Sequence, residues 1–329
     1  MTKANYRVPT KNLILMIRQR ILVPVDVDAQ SDSALDFART VATRLNAMIS
    51  CLYVIDEQRL HVSRQTSREA RQKLRREAEN KLSEKVHSAL RDSKTPFELI
   101  VTSGKVHEKI LEKSVELNAQ LIILSKSNTG DHRKKRIGSG TKYILTNARI
   151  PVISLGRNRI VNRENIIVPL DLFKPIGSQV VCAIDTAMLL GAAVTVISVI
   201  EKEKLSLRPV YLKRLKEIRL VLRDIKIDCN SLLLTAQESV ADEILSFSRK
   251  SDSAILLVQT NTSTKAKDPA IGSVASELIL KSGIPVQCIN PNFECRKLVD
   301  ESGEFIKASS LSWFSLKDHL INNEQELEV

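Results

Sequence analysis

Aromatic residues make up only 4% of this 329-residue chain, and Trp occurs once. A core so poor in rings must be built from Leu, Ile, Val and Ala, which suits parallel strands covered by helices better than an aromatic-rich sandwich. Cysteine is also sparse. Cys51, Cys182, Cys229, Cys288 and Cys295 form no CxxC pair and have no histidine at metal-ligand spacing. That pattern excludes a disulfide framework or a zinc finger, and it reads as reduced thiols in the cytoplasm. No apolar run reaches the length of a membrane-spanning helix. The one apolar block near the start, Leu13–Ile17, is followed by Arg18 and Arg20, the wrong order for a signal peptide.

Several chemical signatures are missing too. There is no GxxxxGKS/T loop and no GxGxxG, so neither the phosphate-loop nor the dinucleotide mechanism is signalled. The HxGH pair and the SGG loop of ATP-using α/β enzymes are absent. Ser139 sits between glycines, but Gly138-Ser139-Gly140 lacks the GxSxG spacing of a nucleophile elbow. His61, His87, His107, His132 and His319 are isolated and read as surface residues rather than bases. These absences point away from catalysis and from metal binding.

What is present begins with charge. The net balance is +12; the last thirty residues carry −5, leaving +17 on residues 1–299. A basic body suits anionic partners. Length allows two ordinary domains, and the pattern repeats. Short β-branched runs alternate with helical spacing: Arg20–Asp26, a helix over Ala34–Leu45, Ala47–Ile55, a long basic helix over Thr66–Leu90, Phe97–Val101, Lys105–Leu117, Gln120–Leu124, a helix after Gly138, and Ile150–Leu155. This order predicts a parallel, doubly wound α/β sheet. It then recurs. Val168-Pro169-Leu170-Asp171 matches Val23-Pro24-Val25-Asp26 at an offset of 145; Gly272-Ser273 matches Gly138-Ser139, and Ile284-Pro285-Val286 matches Ile150-Pro151-Val152, both at 134. Landmarks kept in order make an internal duplication. The expected organisation is an N-terminal extension 1–17, a first domain 18–156, a second domain 163–290 and a tail 291–329.

The stretch Ser125–Thr141 is the candidate site. It runs from an apolar strand through His132, Arg133, Lys134, Lys135 and Arg136 to a small-residue helix start. Backbone N–H groups and the positive end of a helix dipole converge there on an anion.

These landmarks resemble the universal stress protein family in its tandem form. The likeness lies in Val23-Pro24-Val25-Asp26, in Leu52-Tyr53-Val54 and in Ile150-Pro151-Val152. It implies two repeats of an open five-stranded parallel sheet, order 3-2-1-4-5, sandwiched by helices and paired through an edge strand as a pseudo-dimer. A homodimer of the whole chain would come in addition. One branch of the family binds ATP through Gly, two residues, Gly, nine residues, Gly and then Ser or Thr. Carried over, Gly138 and Ser139 fit the last pair, while Asn128 and Ser125 fall on the two glycines. By the same resemblance Val25, Asp26 and Val54 meet the adenine, and the loop, with Gly140 behind it, takes the phosphates. In the second repeat Gln259 and Thr262 replace the glycines, so that half is expected to bind nucleotide weakly or not at all.

The expectation is therefore a stress-response regulator or sensor without catalysis or metal, working in the cytoplasm, with ATP in the first domain only. Two rivals stand beside it. A nucleotide-free adaptor would dock on a transporter or enzyme through the basic surface and the Leu311–Ile321 cluster around Trp313. Nucleic-acid binding through Arg64–Lys85 is weaker, because Glu69, Glu77, Glu79 and Glu84 interleave and no aromatic is placed to stack on bases.

Overall fold

The computed structural model describes residues 19–27, 33–56, 67–91, 93–125, 136–155, 165–174, 176–251, 255–260 and 271–290, together with the backbone of 298–299 and 305–306. The N-terminal extension, Asn128 with its basic loop, and the Trp313 cluster lie outside these residues.

The first half runs β1 (Arg20–Pro24), α1 (Ser33–Leu45), β2 (Met48–Asp56), α2 (Arg68–Leu90), β3 (Phe97–Gly104), α3 (Val106–Glu116), β4 (Leu121–Ser125), α4 (Ser139–Asn147) and β5 (Val152–Leu155). The second half repeats the order with β6 (Asn165–Pro169), α5 (Gly177–Leu190), β7 (Ala193–Ile200), α6 (Arg208–Asp224), β8 (Cys229–Thr235), α7 (Val240–Lys250), β9 (Ile255–Gln259), α8 (Ser273–Lys281) and β10 (Val286–Ile289). Aliphatic runs such as Ile21-Leu22-Val23 and Leu256-Leu257-Val258 are buried on both sides, as strands covered by helices on two faces must be.

All ten strands form one sheet, in the order β3-β2-β1-β4-β5-β10-β9-β6-β7-β8. Each half is thus a 3-2-1-4-5 parallel sheet. The halves join where β10 runs antiparallel to β5, with Gln287 opposite Ile153. The pairing of edge strands implied by the family resemblance is present.

The two faces of this sheet are packed differently. Under α3, α4, α7 and α8 one apolar cluster runs through both halves, from Leu22, Val54 and Ile144 to Ile197, Leu256 and Cys288. On the opposite face the first half packs Ile21, Val23 and Cys51 beneath α1 and α2. The second half keeps a separate core there, with Val168, Val194 and Val196 beneath α5 and α6. Among the described residues Cys51, Cys182, Cys229 and Cys288 are buried free thiols. Burial pushes the Cys51 thiol up to about 12 and that of Cys229 to about 11.

In one place the apolar spacing over-reads the packing. Ala70 and Leu74 extend the stripe of α2, but its buried residues begin at Ala78 and continue through Leu82, Val86 and Leu90. The first two turns stand off the ends of β2 and β3 across a cleft, which Arg68, Arg71 and Leu74 line together with Ile55, Val101 and Thr102. Much of the rest of α2 is exposed and mixed in sign, with Arg75 donating to Glu79 at 2.9 Å.

Candidate functional site

In an open parallel sheet, a crevice forms where neighbouring strands send their connections to opposite faces. Here that point lies between β1 and β4. Their ladder comprises only Ile21–Leu121 and Leu22–Ile122. Beyond it β1 continues along β2 as far as Pro24–Leu52, while β4 continues along β5 as far as Ser125–Leu155. The strands therefore part at their C-terminal ends.

The expected site residues are distributed around this split. Val25 is buried, and its N–H donates to Leu52 O at 2.8 Å, which holds the chain against β2 just past the end of β1. Asp26 follows it and is exposed. Val54 is buried in the same cluster as Leu124 and Ile144, on the face covered by α4. Ser125 ends β4 and is exposed. Gly138 is the N-cap of α4, with Ser139 and Gly140 in its first turn. Ile144 and Leu145 anchor that helix in the core and so fix where its N-terminus sits. Asn128 falls among the undescribed residues, so the structure assigns it no place.

The start of α4 is polar, and its N-cap Gly138 supplies no side-chain cap; Lys142 N–H donates to Gly138 O at 2.8 Å. Helices leave their first N–H groups without intrahelical partners, and these donors with the dipole favour an anion. Gly138 has φ −59°, open to any L-residue, and a Cβ there would meet nothing within 4 Å among the described residues. Neither backbone nor described neighbour requires glycine at this position. Glycine is a favoured N-cap residue, and without a side chain it also leaves the backbone there open to close approach.

His107, an isolated histidine in the sequence, has a defined contact in the fold. Its ring packs edge-on against Tyr143 with centroids 4.6 Å apart, and a Cβ on Gly140 would lie 3.8 Å from its Nδ1. It joins α3 to α4 behind the helix start, a contact that no local sequence signal announces. Among the described residues no group of His, Cys, Asp and Glu is arranged to hold a metal ion. No described helix is long and apolar enough to cross a membrane.

In the second half a side chain bridges the corresponding split. The ladder between β6 and β9 is equally short, Ile166–Ile255 and Ile167–Leu256. Where these strands part, the buried amide of Gln179 donates to Pro169 O at 2.8 Å and Leu257 O at 3.1 Å, bridging one strand to the other. At the offset of 145 its counterpart is Ala34, which cannot form such a bridge. The chain after β6 is also tied down. Leu170 and Leu172 are buried, and Ser198 Oγ donates to Leu170 O at 2.8 Å. Arg214 donates to Leu172 O and lies 4.8 Å above the Phe173 ring. The carboxylate of Asp171 accepts from Phe173 N–H at 3.2 Å and pairs with Lys174 at 3.0 Å. Gly272, the N-cap of α8, has φ +84°, so here glycine is required by the backbone itself.

Residues 18–155 match the family model described as the universal stress protein family. No curated protein matches the chain by sequence. Among solved structures, a universal stress protein from Archaeoglobus fulgidus is similar over 82% of this chain and 96% of its own, with TM-score 0.64 and 17% identity. A functionally unknown protein from Pseudomonas aeruginosa PAO1 is similar over 85% and 95%, with TM-score 0.60 and 19% identity. A putative universal stress protein from another strain of that species, UCBPP-PA14, gives TM-score 0.60 at 16% identity, over the same shares of the two chains. At such identities the likeness is one of fold, and it spans both halves. Residues 18–155 thus match the universal stress protein family, and over its described length the chain has the two-repeat fold of the solved structures it resembles.

Proposed function

We propose that this chain is a non-catalytic regulator of the stress response, whose first half takes ATP or a related nucleotide in the split between β1 and β4. In this reading Val25, Asp26 and Val54 face the base. Ser125, Asn128 and the N–H groups of Gly138, Ser139 and Gly140 receive the phosphates. No metal is needed to hold the ligand. The protein acts in the reducing cytoplasm, where its buried thiols stay unpaired.

The start of α4 carries the reading. It is a helix opening on a glycine N-cap that supplies no side chain, beside the point where two strands diverge. Occupancy would bias the loop Ser125–Arg136, and a partner would read that change.

Calorimetric titration of ATP into the full chain and into Gly138→Val is the test. The variant meets open space among the described residues and keeps its φ, so the fold is retained. Binding to the native chain and a loss of about tenfold or more in the variant are expected, because the new side chain stands between phosphate and backbone. No binding to the native chain would overturn the reading.

A further inference from the structure

The strongest unassigned feature is a cavity of about 320 Å³ at the seam between the halves. It lies on the face where the two cores are separate, at the N-terminal ends of β1 and β4 and thus at the far end of these strands from the nucleotide crevice. Val41 and Leu45 of α1, Leu189 and Leu190 of α5, and Pro151 and Ile153 at β5 supply apolar walls. The volume is in the usual small-molecule range of about 300–1,000 Å³, and domain interfaces are a preferred place for such sites.

The polar lining is selective. Gln19 Oε1 is buried and accepts no hydrogen bond from any described residue. A buried acceptor without a donor calls for a partner, since leaving it unmade costs about 1–3 kcal/mol. Gln287 is buried on β10, and its amide nitrogen donates to Thr186 Oγ1 at 2.9 Å and to Cys182 Sγ at 3.2 Å. Its carboxamide donors are thus engaged within the wall. Asp185 adds a carboxylate to the lining. Arg20, the cation at the rim, forms an ion pair with Glu98. Toward a guest the wall therefore presents an apolar body with the unmet Gln19 acceptor among its polar groups.

We infer that this seam cavity binds a small, largely apolar molecule, neutral or cationic, through an N–H or O–H donor directed at Gln19. Residues of both halves line it, so such a ligand would bridge the pseudo-dimer and stabilise it. The inference is independent of nucleotide binding, because the two sites occupy opposite ends of β1 and β4.

The probe is N-phenyl-1-naphthylamine, a neutral aromatic with one N–H donor whose fluorescence rises in apolar surroundings. Titrated into the full chain, it should bind saturably, and saturating ATP should leave its affinity unchanged. Leu45→Trp and Leu190→Trp, which fill the cavity from α1 and from α5, should each weaken binding by about tenfold or more. Gln19→Leu removes only the acceptor and should weaken it about two- to tenfold, the worth of one hydrogen bond. The folded state of each variant is read from its urea transition. Should either Trp variant fail to fold, Gln19→Leu decides, because its backbone O still accepts from Met48 N–H. No saturable binding, displacement by ATP, or affinity unaltered in the folded variants would overturn the inference.

Discussion

The two halves of this chain are the same fold with opposite treatments of one gap. In each, a two-residue ladder between the first and fourth strands of the repeat gives way to diverging strands. In the second half a buried glutamine amide spans the divergence, leucines fill the loop behind it, and Arg214 and Asp171 secure that loop. In the first half the counterpart of Gln179 is Ala34, whose methyl group cannot bridge β1 to β4 in that way. The difference shows that a fold's crevice is a topological default. Whether it remains a site depends on a few side chains that either leave it open or satisfy its carbonyls from within.

The comparison can be broken most forcefully at Gln179. Gln179→Ala removes two hydrogen bonds to buried carbonyls and leaves a hole. A loss of about 2–4 kcal/mol in the urea unfolding of the full chain is expected. A loss below about 0.5 kcal/mol would mean that the amide does not hold the split together.

The paired glycines give a smaller contrast. Gly272→Ala forces an L-residue to φ +84° and should cost about 1–2 kcal/mol. Gly138→Ala, at φ −59°, should change stability by less than about 0.5 kcal/mol. Equal costs at both positions would erase the distinction between a glycine kept for the backbone and one kept for a guest.

Smallest is the effect at the paired aspartates. Asp171→Ala breaks an exposed pair with Lys174 and one N–H bond, worth together about 0.5–1.5 kcal/mol. Asp26→Ala is expected to act on ATP affinity in calorimetry instead. A variant at Asp26 with unchanged ATP binding would remove that residue from the site.

Much of this was legible in the residues. Alternating aliphatic runs and helical spacing set the sheet, and recurring Val-Pro-x-Asp, Gly-Ser and Ile-Pro-Val landmarks exposed the duplication. The weaker nucleotide match of the second half was visible at Gln259 and Thr262. The bridge across its split was not, because a long-range bond from Gln179 to Leu257 O leaves no local spacing. Gly138-Ser139 and Gly272-Ser273 read alike in one dimension, yet their glycines differ in sign of φ. Helical periodicity likewise could not say that α2 packs closely only from Ala78 onward, nor that the cores separate on one face and leave a cavity at the seam.

The most direct measurement is the stoichiometry of ATP binding to the full chain by calorimetry. The account predicts one ATP per chain, lost in Gly138→Val and retained in Gln179→Ala. Two equivalent sites per chain, or a single site untouched by Gly138→Val, would contradict it.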